Sequence, residues 1–193
     1  MWVRVLQLYE AEAETPDPVA GHLEDALLDV RIHARSRFRS LACASRFACY
    51  SVHDAEGAPG LPLRPGEHTL IAVREFRRVP LDASALALTV FTARVGRAVP
   101  VVATLAGFVE RAVNLYQPGY LLLARSLEAP RTSLLLTALR DSRLLGAAAA
   151  AGFNLDDVLA ELTPLLATPP EAYEYCREPA TATVAASLSP YAV

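Results

Sequence analysis

Two alternating segments carry the polar and aromatic side chains that could hold a small ligand. Residues 3–9 alternate with a period of two, which is typical of a β-strand with one face against a core. If the odd-numbered face of this strand lines a cavity, it presents Gln7 and Tyr9, and the matching positions of a second strand present Thr89 and Phe91. One polar group among apolar ones is the usual make-up of a ligand pocket, although a solvated face would show the same residues.

Two histidines have neighbours that suggest chemistry. His53 could act as a general base, because a neutral imidazole is available near pH 7. Neighbouring strand residues point to opposite faces, so Asp54 cannot orient this ring, and a histidine in a surface turn is the alternative interpretation. His33 could ligate haem, or it could lie at the basic end of a helix, where cations interact favourably with the helix dipole.

A third group of polar side chains lies where a predicted helix gives way to a strand. Tyr116, Tyr120 and Arg125 could hold an anionic or phenolic ligand there, or they could make structural hydrogen bonds. Together these patterns define one candidate site. Its members are His53, Gln7 and Tyr120 as catalytic groups and Tyr9, Thr89, Phe91, Tyr116 and Arg125 as ligand-binding groups.

The sequence motifs of several enzyme classes do not occur. Because the chain has no GxSxG elbow, HExxH helix, P-loop or dinucleotide-binding glycine fingerprint, we expect neither a hydrolase of those types nor a nucleotide-binding protein. Cys43, Cys49 and Cys176 are odd in number and lack the spacing of metal ligands, so we interpret them as reduced thiols. The sequence therefore predicts no metal and no cofactor.

The overall composition narrows the choice of partner. Of the 193 residues 53% are hydrophobic, enough for a large core, and the net charge of -3 lacks the basic excess that binding to nucleic acid needs. No apolar run approaches the roughly 20 residues of a membrane span, and no signal-peptide pattern opens the chain. We expect a cytoplasmic protein, and we interpret arginine use without lysine as the bias of a GC-rich bacterial genome.

Alternating and helical patterns divide the chain into two similar halves. The first half is predicted to contain a strand at 2–11, a helix from 18 to about 36, strands at 38–44 and 48–53 joined by a turn at 45–47, a Pro/Gly loop at 57–66 and a strand at 69–79. The second half is predicted to contain a strand at 85–93, a helix at 99–116, strands at 120–125 and 132–139, a helix capped by Asn154 and kinked at Thr163-Pro164, and a strand at 172–176.

The two halves align with each other at an offset of 82 positions, without a gap over their first 40 residues. Pro18 then meets Pro100 and Leu6 meets Leu88. Because strand, proline, helix and strand fall in register, we interpret the chain as a duplication in which the Pro/Gly loop replaces the second helix of the first copy. The predicted domains are 1–83 and 84–179, followed by a tail at 180–193.

Four features of the second half carry a family resemblance. They are Phe91-Thr-Ala-Arg-Val-Gly-Arg97, the helix end at Gln117-Pro-Gly-Tyr120, the hairpin at 121–139 and the segment 156–175. In these features the chain resembles the antibiotic biosynthesis monooxygenase superfamily of dimeric α+β barrels. The resemblance implies an α+β fold with two ferredoxin-like repeats, each an antiparallel sheet with helices on one face, that form the barrel within one chain. It also implies an apolar cavity between each sheet and its helices.

The resemblance implies one of three functions. The first is a cofactor-independent monooxygenase, which deprotonates an aromatic or polyketide-like molecule so that the substrate itself reacts with oxygen. The second is a non-catalytic ligand-binding or assembly protein of the same fold, and the third is a haem-binding or haem-degrading protein. The expected partner is a small apolar or aromatic molecule, and a homodimer could form in addition to the pairing within the chain.

Overall fold

The computed structural model describes residues 2–10, 32–43, 46–54, 67–76, 83–116, 120–139 and 156–177. These ranges hold eight strands and two α-helices. The strands are β1 (Trp2–Glu10), β2 (Ile32–Ser40), β3 (Arg46–Asp54), β4 (Glu67–Phe76), β5 (Ala85–Thr92), β6 (Tyr120–Ser126), β7 (Thr132–Leu139) and β8 (Glu171–Arg177). The helices are α1 (Ala98–Tyr116) and α2 (Asp156–Leu162), and α2 runs into a 3₁₀ turn (Thr163–Leu165).

The eight strands close into a barrel with the order β1-β3-β2-β8-β5-β7-β6-β4. All neighbouring strands are antiparallel. The first half has the strand order β4-β1-β3-β2, and the second half has the equivalent order β8-β5-β7-β6. This is the strand order of a ferredoxin-like unit. The halves meet where β4 pairs with β6 and where β2 pairs with β8. The expected α+β barrel is thereby confirmed.

One face of each strand fills the barrel interior. Even-numbered positions of β5, β6 and β7 point inward, as the period of two in a pleated strand requires. A closed barrel also leaves none of its strands with an unpaired edge. The main interior residues are Leu6, Phe38, Ala48, Tyr50, Leu70, Leu86, Leu88, Tyr120, Leu122, Ala124, Leu134, Leu136, Ala138 and Tyr175.

The helices α1 and α2 cover the outer face of the second half. Gly96 has a φ of +74°, a left-handed conformation that lets the chain turn from β5 into α1 without steric cost. Neither of the two described helices is long and apolar enough to cross a membrane. The helices contribute Val101, Leu105, Phe108, Val109, Ala112, Val158 and Leu162 to a second buried cluster, which they share with Phe91, Leu121, Leu123 and Leu135 of the sheet.

Residues 32–36 belong to the strand β2 (Ile32–Ser40), where the sequence predicted the last turns of a helix, and that prediction is wrong. The strand predicted at 38–44 is confirmed over residues 38–40. From Ala34 to Ser40 arginines alternate with small or aromatic residues, and this period of two fits a strand rather than a helix. His33 therefore lies in β2 and not at a helix end. The segment 46–47, predicted as part of a turn, already belongs to β3.

Most other predicted elements occur within a few residues of their expected bounds. This holds for the strands at 2–11, 48–53 and 69–79 and for the strands and first helix of the second half. Thr163-Pro164 begins the 3₁₀ turn that ends α2, where a kink was expected. The loop at 57–66, the cap at Asn154, the tail at 180–193 and residues 18–31 of the first predicted helix lie outside the described residues.

The pairing registers refine the alignment of the two halves. Leu6 and Leu88 are 82 positions apart, but Tyr50, which lies opposite Leu6, is 86 positions from Leu136, which lies opposite Leu88. Equivalent positions of β2 and β6 are also 86 residues apart. A difference of four residues preserves the inward face of a strand, because side chains alternate with a period of two. We retain the duplication and its domain bounds as a proposal.

Candidate functional site

A β-bulge near the end of β4 decides which of its side chains face the barrel interior. Between Ala72 and Arg74 the pairing with β6 skips Val73. The skipped residue shifts the alternation of side chains by one position. As a result, Glu75 lies opposite an interior residue of β6, whereas Arg74 and Phe76 lie opposite residues of the outer, helix-facing side.

Four polar side chains meet near this bulge. They come from the neighbouring strands β3, β1, β4 and β6, which contribute Tyr50, Arg4, Glu75 and Tyr120 respectively. The tyrosines are 3% and 0% exposed, and their hydroxyl oxygens lie 3.2 Å apart. Arg4 forms an ion pair with Glu75, and its charge also acts on both tyrosines. We call these four residues the tyrosine network.

Both tyrosines of the network are neutral at physiological pH. Burial raises the pKa of Tyr50 to about 12, although its hydrogen bond with Tyr120 and the charge of Arg4 oppose the shift. Burial also raises the pKa of Tyr120, and the adjacent Tyr50 adds to the effect. The network therefore combines two neutral hydroxyl groups and a guanidinium, which can donate hydrogen bonds to an anionic oxygen, with a carboxylate that can accept a proton.

An open cleft lies outside the barrel, between β4 and the second half of α1. Its volume is about 390 Å³. Glu75 is common to the two places: it is among the residues that line the cleft, and its carboxylate belongs to the tyrosine network on the interior side of β4. The apolar lining of this β4–α1 cleft is Phe76, Val109 and Val113, and its polar lining is Arg74, Glu75, Glu110 and Asn114.

A second polar cluster lies at the other end of β4. Nδ1 of His68 is 2.9 Å from Oγ of Ser126, and that hydroxyl also bonds Glu128 at 3.2 Å. Burial lowers the pKa of His68, so its imidazole is neutral. Here the serine stands between histidine and carboxylate, and it is only 3% exposed, so it does not have the arrangement of an activated nucleophile. The described residues include no group of three potential ligands that could hold a metal ion.

The structure separates the predicted site residues whose side chains it describes. Tyr120 lies in the barrel interior, whereas Phe91 is fully buried on the outer face against α1. Thr89 is half-buried, two positions from Phe91 on the same strand. Arg125 lies on the outer face of β6, where Nη2 donates a long hydrogen bond of 3.5 Å to the Pro130 carbonyl. Its buried Nε has no partner in the described part of the chain.

The other predicted site residues are described by their backbone alone. Gln7 and Tyr9 lie in β1, His53 lies within β3, and Tyr116 is the last residue of α1. Their side chains lie outside what the structure describes. Their proposed roles in catalysis or ligand binding stay predictions.

Three of the four members of the tyrosine network, Tyr50, Arg4 and Glu75, were not predicted from the sequence. The predicted site lay on the odd-numbered face of β1, but the interior cluster contains Leu6, and Arg4 shares that even-numbered face. A single charged residue on an otherwise apolar strand face was the available signal for Arg4. Neither Tyr50 nor Glu75 carries such a signal, since Tyr50 resembles other core aromatics and Glu75 turns inward only because of the bulge.

We expect Tyr50→Phe and Tyr120→Phe each to destabilise the fold by about 1–2 kcal/mol, because each leaves one buried hydroxyl without its partner. The double variant should lose about 1 kcal/mol less than the sum, since it leaves neither hydroxyl unsatisfied. Urea unfolding of the four proteins measures this coupling. Tyr50→Phe combined with Leu127→Ala, an exposed position in the β6–β7 turn, is the additive control. Additive costs for the tyrosine pair would show that the hydroxyls do not interact.

A closed barrel of two ferredoxin-like halves, with helices packed on the outer face of one of them, defines the class of this protein as an α+β barrel contained in one chain. A comparison of the sequence with family models gives no match. A comparison with curated proteins also gives none. Likeness appears only at the level of three-dimensional structure.

Three solved structures illustrate that likeness. A ferredoxin-fold protein related to antibiotic biosynthesis monooxygenases, from Listeria monocytogenes 4b F2365, aligns over 93% of this chain and 96% of its own, with 6% identity and a TM-score of 0.59. An anthrone oxidase-like protein aligns over 92% of both chains, with 12% identity and a TM-score of 0.60. A major regulator of staphylococcal pathogenesis aligns over 91% of this chain and 99% of its own, with 9% identity and a TM-score of 0.65.

These alignments take in both halves of the barrel, since each covers more than nine-tenths of both chains. The resemblance to barrels of the antibiotic biosynthesis monooxygenase type is therefore confirmed for the fold. Identities this low establish the fold alone, and a shared fold serves many unrelated functions.

Proposed function

We propose that this protein binds a small aromatic or polyketide-like molecule in the β4–α1 cleft and oxygenates it without a cofactor. A volume of about 390 Å³ falls within the range of small-molecule sites. An apolar wall with a few polar groups is also the usual composition of such sites. The observation that carries the proposal is Glu75, which is among the residues that line the cleft and whose carboxylate, 25% exposed, pairs with Arg4.

The proposed chemistry begins with a proton transfer. A phenolic hydroxyl of the substrate gives its proton to the Glu75 carboxylate, and the anionic ring passes electrons to dioxygen, the co-reactant, as a new C–O bond forms. The peroxide takes the proton back from Glu75 and loses water together with the hydrogen on the same carbon. One oxygen atom stays on the substrate as a new carbonyl group and the other leaves as water. Arg4 supplies positive charge next to that carboxylate, while the hydroxyls of Tyr50 and Tyr120 are buried in the barrel and do not line the cleft. A fixed positive charge favours a developing oxygen anion because it needs little reorganisation when the charge appears.

We expect Glu75→Gln to lower the rate of oxygen uptake with anthrone-type phenols by about 10²-fold or more, the usual contribution of a general base. An oxygen electrode measures the rate. The matched control is Glu161→Gln, which removes an exposed carboxylate on α2 and should leave the rate unchanged. Equal rates for the wild type and Glu75→Gln would remove Glu75 from the mechanism.

A second candidate function is ligand binding without turnover. Two observations favour it: the tyrosine hydroxyls already satisfy each other, and one solved structure of this fold is described as a regulator. In that case aromatic molecules shift the NMR signals of cleft residues such as Val113, while no oxygen is consumed. The haem-binding alternative, the cytoplasmic location and the homodimer expected from the sequence stay predictions.

A further inference from the structure

An ion pair bridges the β4–α1 cleft. Nε of Arg74, on β4, donates to Oε1 of Glu110, on α1, over 3.3 Å. The two side chains are 55% and 62% exposed. Exposed ion pairs of this kind contribute little to stability, because water screens them and holding two long side chains together costs entropy. The bridge can therefore open at small cost.

The two partners of this bridge are not held equally. Nη1 of Arg74 also donates a hydrogen bond of 3.2 Å to the Val73 carbonyl, which anchors the guanidinium to β4. Within the described part of the chain, Glu110 has Arg74 as its one charged or hydrogen-bonding partner. When the bridge opens, the carboxylate moves into water and the guanidinium stays over the cleft.

The other carboxylate of the cleft does not cancel this charge. Glu75 is already paired with Arg4, so that pair is neutral as a whole. Once Glu110 has moved away, the uncompensated charge that faces the cleft is the positive charge of Arg74. The apolar part of the lining consists of Phe76 on β4 and Val109 and Val113 on α1. The open cleft thus offers an apolar surface with one cation at its edge.

We infer that the ligand of the β4–α1 cleft is an aromatic molecule that carries a carboxylate, and that this carboxylate replaces Glu110 on Arg74. The inference rests on the proposed function and adds the charge of the ligand to it. A guanidinium binds carboxylates through two parallel hydrogen bonds, which gives directional as well as charge selectivity. Glu110 then competes with the ligand's carboxylate for Arg74. Neutral aromatic molecules need not displace Glu110, so it has little effect on their binding.

The test compares two probes with the same ring, 2-naphthoate and 2-naphthol, titrated at neutral pH into the whole protein and followed by NMR. The wild type should bind the naphthoate about tenfold more tightly than the naphthol. Glu110→Gln should tighten naphthoate binding by about threefold to tenfold and leave naphthol binding unchanged. Arg74→Gln should remove the preference for naphthoate while naphthol still binds. Glu161→Gln is the control with the same charge change away from the cleft.

The outcomes separate this inference from the proposed function. If the two probes bind with equal affinity and neither variant changes the ratio of their affinities, the inferred selectivity for an anionic ligand is wrong. The proposed aromatic site is then unaffected. If neither probe binds at millimolar concentration, the aromatic site itself is wrong and the inference fails with it. Because both side chains are mostly exposed, the variants should keep the wild-type melting temperature, which a thermal scan verifies.

Discussion

Above about pH 10 the protein should lose stability steeply and unfold cooperatively before about pH 12. Burial raises the pKa of Tyr50 and of Tyr175 to about 12, and it raises the pKa of Tyr120 as well. The neutral phenols favour the folded state fully below the unfolded pKa of about 10, and this contribution disappears as the pH rises towards the folded values.

The expected size of this alkaline effect is large. Between the pKa of the unfolded state and that of the folded state, each of the three tyrosines lowers the free energy of unfolding by about 1.4 kcal/mol per pH unit. Over two pH units the three together lower it by roughly 8 kcal/mol. That is comparable with the whole stability of a typical domain, about 5–15 kcal/mol. Circular dichroism and tyrosinate absorbance, recorded together against pH, should show one shared transition.

A variant isolates the contribution of the tyrosine network to this transition. Tyr120→Phe removes one of the three titrating phenols, so the loss of stability per pH unit above pH 10 should fall by about a third. Urea unfolding at several alkaline pH values measures the slope. Reversible ionisation of all tyrosines near pH 10, with the circular dichroism unchanged, would contradict the burial described for these three side chains.

Truncation inside the barrel should have the next largest effect. Leu122 is 0% exposed on β6 and packs in the interior cluster, so Leu122→Ala should lower the free energy of unfolding by about 2–5 kcal/mol through lost burial and the cavity left behind. The matched control is Leu127→Ala, because Leu127 is 54% exposed just after the same strand. The control should cost less than about 0.5 kcal/mol. Equal costs for the two variants would mean that the barrel interior is not packed as described.

Local patterns were sufficient to predict most of the secondary structure. Pro100 and the stop signal at 117–119 predicted α1 almost to its ends. Its buried residues Val101, Leu105, Phe108 and Ala112 form one apolar stripe. The error at residues 32–36 came from extending a helical pattern into a segment whose own period is two. The fold class was implied by the family resemblance of the second half, and it agrees with the need of each sheet to bury its second face against another layer.

The candidate site was much harder to predict. Tyr120 was identified as a candidate, but its partners Tyr50, Arg4 and Glu75 come from strands that are far apart in the sequence. The pairing of β4 with β6 brings these residues together, and that pairing joins the two halves of the chain. Periodicity reports which residues share a face of one strand, and it carries no information about which strands become neighbours.

By itself the sequence determined the eight-strand plan, the apolar stripe of α1 and the similarity of the two halves, because each of these depends on residues close together along the chain. The tertiary structure decided the closure of the barrel, the register of its seams and the bulge at Val73. An unbroken alternation from Leu70 would turn Arg74 inward and Glu75 outward, and one skipped residue reverses both. The placement of a carboxylate in the interior network and an arginine at the cleft therefore depends on long-range pairing, which no local pattern encodes.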